Sequence, residues 1–330
     1  MSTPLLVSLV CPFYNEELGV NAFFEAVTQE FARLEKYTFE VICVDDGSKD
    51  GTLGQLIEMS LKDPRIKVVE LSRNFGKEAA LTAGLDFAAG DLIIPIDSDL
   101  QDPLSLIGRL IQAWEAHDVD VVLAKRSNRE SDTLGKRLSA SAFYDIYNAL
   151  AQIKIPNNVG DCRLMTRIVV DALKLLPEKQ RFMKGLFAWV GFRTVTIEYT
   201  REPRAAGTTK FSGWKLWNFA LEGITSFSSL PLRIWTYMGV TGAMITSLYA
   251  LFIVIRTLIF GVDLPGYASL LVAVLFLGSV QLIGIGVLGE YIGRTYMESK
   301  RRPTYLIRKT YQQGAAKNSL GVECVGSKPN

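Results

Sequence analysis

The first part of the chain alternates between short apolar runs and longer stretches in which apolar residues recur every third or fourth position. Short apolar runs are typical of buried strands, and the longer repeat is typical of helices that cover a sheet. We predict strands over Leu5–Val10, Phe39–Val44, Ile66–Leu71, Leu92–Ile96 and Val119–Leu123, and helices near Glu17–Glu35, Thr52–Leu61, Lys77–Ala89 and Leu104–Ala116. This order predicts an α/β fold with a parallel-rich sheet and helices on both faces.

The pattern is less regular between Lys125 and Arg201. In this region we predict a helix near Leu138–Ala151 and strands at Cys162–Met165 and Thr194–Tyr199. Pro95, in the fourth apolar run, cannot donate a hydrogen bond to a sheet, so we expect it at the end of its strand. The first strand is followed by Pro12-Phe-Tyr-Asn-Glu16 instead of a Gly-x-Gly-x-x-Gly loop, which argues against a nicotinamide dehydrogenase.

The C-terminal third contains two nearly uncharged apolar stretches, Ile234–Ile255 and Tyr267–Leu288. Each has the length of about 20 residues that a helix needs to cross a hydrocarbon core. The alternative is a pair of helices buried in a protein core. Basic residues flank the pair at Arg233, Arg294, Lys300, Arg301 and Arg302, whereas the connection has only Arg256 at its edge. The positive-inside rule therefore predicts two transmembrane helices with both termini in the cytoplasm.

An amphipathic stretch with several aromatic residues, Phe211–Leu230, precedes the first apolar stretch. Rings such as Trp214 and Trp217 favour the membrane–water interface, although an ordinary packed helix has the same pattern. We divide the chain into a cytoplasmic α/β domain over 1–210, interfacial amphipathic helices over 211–232, a transmembrane hairpin over 233–293 and a basic cytoplasmic tail over 294–330. The polar end after Arg308 is expected to be disordered.

The amino-acid composition argues against several classes of function. The 330 residues carry a formal net charge of +2 without an arginine-rich arm or a Cys/His array, so nucleic acid is not an expected partner. Four widely spaced cysteines fit reduced thiols better than a disulfide framework or a zinc site. The only histidine is His117, in the polar segment Glu115-Ala-His-Asp118, which argues against Ser-His-Asp hydrolysis and histidine-rich metal sites. The N-terminal residues do not resemble a signal peptide.

Asp97-Ser98-Asp99 follows the fourth predicted strand. Side chains two positions apart on a strand point to the same side, and ligands of open α/β sheets bind at the carboxyl ends of strands. Two carboxylates in that place suit a hard cation such as Mg²⁺ or Mn²⁺, which in turn holds a diphosphate. Gln101 offers a further oxygen ligand. The alternative is an acidic loop that is merely solvated.

Two other motifs end strands of the same sheet. Asp45-Asp46-Gly47-Ser48 follows the second strand, and its carboxylates are candidates to accept hydrogen bonds from a nucleoside. It is otherwise a polar turn in which Ser48 or Asp50 caps a helix. Asn74-Phe75-Gly76-Lys77 opens a helix after the third strand, where Lys77 is a candidate to neutralise a phosphate. Its alternative is a simple cap with a solvated lysine.

Asp161, in Asn158–Leu164, is a candidate to position or deprotonate an acceptor. Alternatively, it forms an ion pair with Arg163 that anchors a turn. Arginine suits bidentate contacts with phosphate, and Arg126, Arg137 and Ser141 form one potential phosphate cluster. Basic residues before the first apolar stretch, such as Arg204 and Lys210, would also be attracted to anionic headgroups.

The same residues carry a resemblance to a known family. The matching segments are Cys11–Glu16, Val44–Asp50, Ser72–Glu78, Pro95–Pro103, Asn158–Leu164, Arg204-x-x-Gly207-x-x-Lys210-Phe211 and Gly286–Arg294. Through them the chain resembles the membrane-anchored, inverting family-2 glycosyltransferases that act on polyprenyl phosphates. It is most similar to the bactoprenol glucosyl transferases, to which dolichol-phosphate mannose synthases are related. The resemblance covers residues 4–308 and implies a GT-A fold, a Rossmann-like sheet that binds a nucleotide sugar.

The resemblance also implies roles for individual residues. Pro12, Tyr14, Glu16 and Asp45 would contact the uridine of the donor, and Asp97, Asp99 and Gln101 would hold the metal and the diphosphate. We add Asp46, Lys77 and Ser98 to the nucleotide-sugar site. Asp161 matches the catalytic carboxylate, with Asp99 as the second catalytic candidate. Arg126, Arg137, Ser141 and Arg204 match positions that grip phosphate, to which we add Arg163 and Lys210.

The expected reaction is transfer of glucose from UDP-glucose to undecaprenyl phosphate, with Mg²⁺ or Mn²⁺ as cofactor, at the cytoplasmic face of a bacterial inner membrane. The product would serve later cell-surface glycosylation, such as modification of lipopolysaccharide O-antigen. The expected partners are the UDP-sugar, the polyprenyl phosphate, the bilayer and a second copy of the chain. The alternatives are the same reaction with GDP-mannose, a processive polysaccharide synthase, and a non-catalytic scaffold or lipid-carrier transporter. A missing Gln-x-x-Arg-Trp motif argues against the synthase.

Overall fold

A computed structural model of the chain describes residues 4–127, 159–176, 178, 181, 183–200, 230–260 and 266–313. The helix predicted near Leu138–Ala151 and nearly all of the amphipathic stretch Phe211–Leu230 lie outside these residues.

Four strands and four helices alternate along the first part of the chain, as the sequence predicts. The strands are β1 (Leu6–Phe13), β2 (Thr38–Asp45), β3 (Ile66–Leu71) and β4 (Leu92–Pro95), and the helices are α1 (Val20–Phe31), α2 (Thr52–Lys62), α3 (Lys77–Phe87) and α4 (Leu106–Ala116). The strands lie in the order β4-β1-β2-β3, and all three neighbouring pairs are parallel. Pro95 is the last residue of β4, which confirms its expected position.

The sheet continues beyond β4 with mixed strand directions. The further elements are β5 (Val121–Arg126), β6 (Val159–Thr166), α5 (Arg167–Lys174), α6 (Met183–Trp189) and β7 (Thr194–Tyr199). Strand β6 lies between β4 and β5 and is antiparallel to both, while β5 and β7 are parallel. Strand β6 is longer than the predicted Cys162–Met165, and α5 and α6 are not among the predicted helices.

An apolar layer covers each face of the sheet. On one face, Phe13 and Phe23 meet edge to face with ring centroids 5.4 Å apart, which packs α1 against β1. On the other face, α3 presents small residues, and a Cβ added at Gly84 would collide with the side chain of Val10. Helix α3 therefore lies directly on β1, and this contact fixes the place where the helix begins, at Lys77.

Two long helices follow, α7 (Leu230–Phe260) and α8 (Tyr267–Ser299). Large apolar side chains on both are exposed, for example Leu248 and Phe260 on α7 and Leu282 on α8, which does not fit a pair of buried core helices. Within the described ranges, one segment, Phe276–Ser299, is apolar and long enough to cross a membrane by length and composition alone. Two crossings therefore remain a proposal.

After α8 the chain returns to the sheet. Strand β8 (Ile307–Tyr311) is antiparallel to β3 and completes the order β7-β5-β6-β4-β1-β2-β3-β8. The N–H of Ser72 donates to the carbonyl of Leu306 at 2.8 Å beside it. The sequence predicts a disordered end after Arg308, which is wrong for Lys309–Tyr311 because these residues belong to a strand at the sheet edge. Residues 314–330 lie outside the described part.

Candidate active site

The loops at the carboxyl ends of β1 and β2 are fastened to each other. The N–H of Asn15 donates to Ser48 Oγ at 3.1 Å, and the N–H of Glu16 donates to Thr52 Oγ1 at 2.9 Å. Asn15 has a φ of 51°, a left-handed conformation that asparagine tolerates better than most residues. Tyr14 and Glu16, both predicted to bind the nucleotide, are half-buried in this loop. The paired loops give that edge of the sheet a fixed shape.

The adjacent carboxylates Asp45 and Asp46 have different surroundings. Both oxygens of Asp46 accept backbone hydrogen bonds, from Phe75 N at 2.7 Å and from Gly76 N at 2.9 Å. Asp46 therefore holds the loop before α3, a role that the sequence prediction did not give it. Asp45 is 1% exposed; its Oδ2 accepts from Ser48 N at 3.2 Å, whereas Oδ1 has no hydrogen-bond partner among the described residues. Burial raises the pKa of both carboxyls.

The turn after β2 depends on Gly47. Its φ is 67°, and an added Cβ would lie 2.6 Å from the carbonyl carbon of Arg73 and from the nitrogen of Asn74. A side chain is therefore excluded on two grounds, backbone conformation and space. The close approach brings the turn that carries Asp45 against the segment that leads into Lys77.

Lys77 joins two predicted site residues that are far apart in sequence. Its Nζ lies 2.7 Å from Asp161 Oδ2 and 2.7 Å and 2.9 Å from the two oxygens of Asp97. Lys77 is at the start of α3, Asp97 follows β4, and Asp161 lies on the antiparallel strand β6. The structure thus places the predicted phosphate-neutralising lysine, the metal candidate and the catalytic candidate in one cluster. Lys77 is thus ion-paired, although its side chain is 47% exposed.

The charges in this cluster shift one another's pKa values. Burial acts to raise the pKa of Asp161, but Lys77 and then Lys184 lower it below the usual range. Burial acts to lower the pKa of Lys77, but Asp161 and Asp97 raise it above its ordinary value. Asp97 differs, because burial raises its pKa more than Lys77 lowers it. Asp161 is consequently held as a carboxylate.

The Asp97–Asp99 loop is anchored to β1 through Ser98. The hydroxyl of Ser98 donates to the carbonyl of Pro12 at 3.2 Å, and the N–H of Gln101 donates to Asp99 Oδ1 at 3.2 Å. Leu100 has a φ of 55°, an uncommon conformation for a leucine. Ser98 and Pro12, both predicted to bind the nucleotide sugar, therefore also shape the loop that carries the acidic pair.

A buried network lies behind this loop. Tyr199 Oη donates to Asp102 Oδ1 at 2.6 Å, and Arg126 Nε donates to Tyr199 Oη at 3.2 Å. Burial and the neighbouring Asp102 raise the pKa of Tyr199. The sequence prediction placed Arg126 on the acceptor phosphate and gave Asp102 and Tyr199 no role. In the structure these three residues fasten the acidic loop to β5 and β7.

The residues present fit a divalent cation. Asp97, Asp99 and Gln101 supply the hard oxygen donors that Mg²⁺ and Mn²⁺ prefer, and Mg²⁺ is commonly bound by one or two carboxylates together with substrate phosphates. Both oxygens of Asp97 already face a cation, the ammonium of Lys77. Among the described residues, no group of three or more His, Cys, Asp or Glu side chains is arranged to hold a metal. A metal here would therefore need the donor's phosphates as further ligands.

Arg163 does not form the ion pair with the Asp161 carboxylate that one alternative predicts. Its Nη2 donates to the carbonyl of Gly160 at 2.9 Å and its Nε to the backbone carbonyl of Asp161 at 3.3 Å. Lys184 on α6, which influences the pKa of Asp161, was missed because that helix was not predicted. The other predicted acceptor-phosphate residues, Arg137, Ser141, Arg204 and Lys210, lie outside the described residues.

Comparisons with known proteins show the family to which the chain belongs. Residues 8–174 match the model of the family described as glycosyl transferase family 2. The chain is 53% identical over 307 residues to the bactoprenol glucosyl transferase of Shigella phage SfV, covering 93% of this chain and 99% of that protein. It is 53% identical to a prophage bactoprenol glucosyl transferase homolog of Escherichia coli strain K12, covering 92% and 98%. A solved mannosyl-3-phosphoglycerate synthase from Rubrobacter xylanophilus has a TM-score of 0.48 at 18% identity, covering 71% and 75%.

Proposed function

Because the chain belongs to glycosyl transferase family 2, we propose that it transfers glucose from UDP-glucose to undecaprenyl phosphate at the cytoplasmic face of a bacterial inner membrane. The observation that carries this proposal is the cluster in which Lys77 contacts both Asp97 and Asp161. It joins a residue suited to the donor's diphosphate with a residue suited to the acceptor. Relatives named as bactoprenol glucosyl transferases support the choice of acceptor and sugar.

Asp45 supports a uridine donor. Its Oδ1 is buried and has no hydrogen-bond partner among the described residues, which costs free energy unless a ligand supplies a hydrogen-bond donor. The ring N–H of uracil is such a donor. Tyr14 and Glu16 lie in the loop fastened beside Asp45, where they would complete the uridine site. Lys77 begins α3 at the same edge and would face the donor's diphosphate.

The chemistry assigned to the chain's residues is a single displacement that inverts the anomeric carbon. A divalent cation held by Asp97, Asp99 and Gln101 would supply Lewis-acid neutralisation of the leaving diphosphate. The nucleophile is an oxygen of the acceptor phosphate, which is mostly dianionic at neutral pH because its second pKa is about 6. Asp161, whose pKa is lowered, is a weak base, so its role is to orient the acceptor more than to remove a proton.

The long helices support a position at the membrane. Their exposed apolar side chains suit a lipid surrounding, and the polyprenyl tail of the acceptor cannot leave the bilayer. We assign both α7 and α8 as membrane-spanning, with the α/β domain and both termini in the cytoplasm. The connection between them, residues 261–266, would then lie on the opposite side.

Glucose transfer is tested with purified protein, UDP-[¹⁴C]glucose and undecaprenyl phosphate in detergent. We expect a radioactive lipid product, release of UDP, and loss of both with EDTA. The Asp97→Asn/Asp99→Asn double variant should consume no donor, and Asp118→Asn, which changes a carboxyl that is 91% exposed, should match the parent chain. A lipid product from GDP-mannose alone would identify the other sugar. Consumption of neither donor would leave the scaffold or transporter alternative.

Topology is tested by single-cysteine labelling. A cysteine introduced at Gly266 should react with a membrane-impermeant maleimide in intact cells, and one introduced at Thr310 should react only after the membrane is opened. Equal labelling of both positions in intact cells would contradict the two-span arrangement.

A further inference from the structure

A cavity of about 190 Å³ lies between α6 and the strands β5, β6 and β7. Its apolar wall consists of Val121, Leu123, Val159, Phe187, Ala188 and Phe192. Two cationic side chains, Arg163 and Lys184, also line it, and no acidic residue does. A cavity that is apolar on most of its wall and positive at one end suits a ligand with an anionic head and a hydrocarbon body.

Arg163 is a buried cation that the Asp161 carboxylate attracts electrostatically without forming a close ion pair with it. It is 5% exposed, two of its nitrogens donate to backbone carbonyls, and its guanidinium lies 3.8 Å from the ring centroid of Phe187. Among the described residues, no carboxylate lies within ion-pair distance of it. Burial lowers the pKa of Arg163 to about 10. Asp161 also pairs with Lys77, so it does not by itself neutralise Arg163, and burying such a charge is costly unless a further anion compensates it.

Lys184 places a second positive charge at the same cavity. It is half-buried and has no ion pair to any residue that the structure describes. Glu78 on α3 interacts electrostatically with Lys184 and accepts a hydrogen bond from the N–H of Met183. Burial and Asp161 raise the pKa of Glu78 to about 8, so this carboxyl is mostly neutral at pH 7 and does not cancel the two cations.

The cavity lies beside the reactive cluster. Val159, Asp161 and Arg163 alternate along β6, so their side chains share one face of the sheet. Residues two apart on a strand are separated by about 7 Å. An anion that bridges Arg163 and Lys184 would therefore lie next to Asp161.

We propose that this cavity binds the phosphate monoester end of the acceptor, with Lys184 and Arg163 gripping the phosphate and the apolar wall holding the first isoprene unit. The inference rests on the proposed function and adds to it a binding residue, Lys184, on a helix that lies outside the sequence motifs. Two charge-assisted contacts to one phosphate would fix the nucleophilic oxygen beside Asp161.

The test compares Lys184→Met with Lys62→Met, which removes an exposed lysine on α2 that pairs only with Glu58. Farnesyl phosphate is the acceptor probe, in steady-state kinetics and in calorimetric binding without donor. For Lys184→Met we expect its KM and its Kd to rise about tenfold or more, with the KM for UDP-glucose unchanged. An unchanged Kd for farnesyl phosphate, or an equal loss in Lys62→Met, would overturn the proposal.

Competition experiments and a second variant identify the chemistry of the ligand. Inorganic phosphate should compete with farnesyl phosphate in the parent chain and should lose this effect in Lys184→Met, whereas farnesol should not compete. Arg163→Gln should weaken farnesyl phosphate binding in the same way, and its unchanged affinity would count against the cavity. Competition by phosphatidylglycerol vesicles equal to that by inorganic phosphate would reassign the site to lipid headgroups and overturn the proposal. Farnesyl phosphate binding that depends on Lys184, without any sugar transfer, would support the cavity and contradict the proposed function.

Discussion

The two halves of the sheet build their parts of the site in different ways. In the parallel half, β1–β4, the functional side chains sit on loops that are hydrogen-bonded to one another, such as the pair joined by Asn15 and Ser48. In the mixed half, β5–β7, they sit on the strand β6 and the short helix α6. Among the described residues, the first arrangement includes a buried carboxylate oxygen without a hydrogen-bond partner, Asp45 Oδ1, and the second places Arg163 and Lys184 at a cavity that no acidic residue lines. Asp45 in the parallel half is therefore suited to accept a hydrogen bond from a nucleoside, and the cavity of the mixed half is suited to an anion.

The largest expected effect tests whether the mixed half governs turnover. Asp161→Asn should lower kcat by at least about 100-fold, because Lys77 loses one of its two carboxylates and the acceptor loses its orienting group. The Kd for UDP should stay within a factor of about two, which is within the scatter of a neutral surface change. Stopped-time transfer assays and calorimetry check the two quantities. Near-full turnover at pH 7 would remove Asp161 from the mechanism.

The next effect tests the parallel half. Asp45→Asn should weaken UDP binding by about 10- to 100-fold, since a hydrogen bond to a charged group contributes about 1.5–3 kcal/mol. At saturating donor, kcat should be unchanged. Asp171→Asn, which alters a carboxyl that is 57% exposed on α5, is the control. A fall in kcat without a change in the affinity for UDP would contradict the proposal that the parallel half binds the nucleotide and the mixed half governs turnover.

The pH dependence of the reaction distinguishes titration of the Asp161 carboxyl from titration of the acceptor phosphate. The pKa of Asp161 is lowered, so its charged form persists as the pH falls and it should not produce an acid limb near neutrality. Protonation of the acceptor phosphate, with a second pKa of about 6, should instead make kcat/KM roughly tenfold lower at pH 5 than on the plateau. UDP binding should remain flat over this range. In Lys77→Met the pKa of Asp161 should rise, and the acid limb should move to higher pH.

The smallest effect concerns the outer edge of the parallel half. Tyr311 Oη donates to Glu70 Oε2 at 2.8 Å, and Glu70 is the register partner of Asp45 on the neighbouring strand. Tyr311→Phe should cost about 1 kcal/mol and lower the Tm by about 2–4 °C. Thr310→Val, an exposed position on the same strand, is the matched control for thermal unfolding in detergent. An unchanged Tm for Tyr311→Phe would show that this contact does not hold β8.

Sequence patterns predicted the parallel half well, because each of its strands is rich in buried apolar residues. The mixed half was harder. Gly160 and Asp161 interrupt the apolar pattern of β6, and α5 and α6 have eight and seven residues, too few for a clear helical repeat. Strand β8 reads Ile-Arg-Lys-Thr-Tyr, a polar pattern that suits an exposed edge strand but resembles a tail.

Site residues follow the same division. The motifs predicted the carboxylates at strand ends as site residues, and the structure brings Asp97 and Asp161 together around Lys77. Adjacent positions, however, do not show which of Asp45 and Asp46 is engaged by backbone N–H groups. The contact between Lys77 and Asp161 joins residues on separate elements, and no local spacing encodes it. Lys184 carries no motif and is identified only by its place in the fold.

The late position of strand β8 in the chain determines when the sheet can be completed during translation. It is translated after both long helices, yet it pairs with β3 from the first part of the chain. On the ribosome, the outer side of β3 stays unpaired while more than 200 intervening residues emerge. Unpaired strand edges are templates for association with other chains. Strand β8 can therefore pair with β3 only after both apolar helices have left the exit tunnel. Completion of the sheet thus depends on where those two helices go after they emerge.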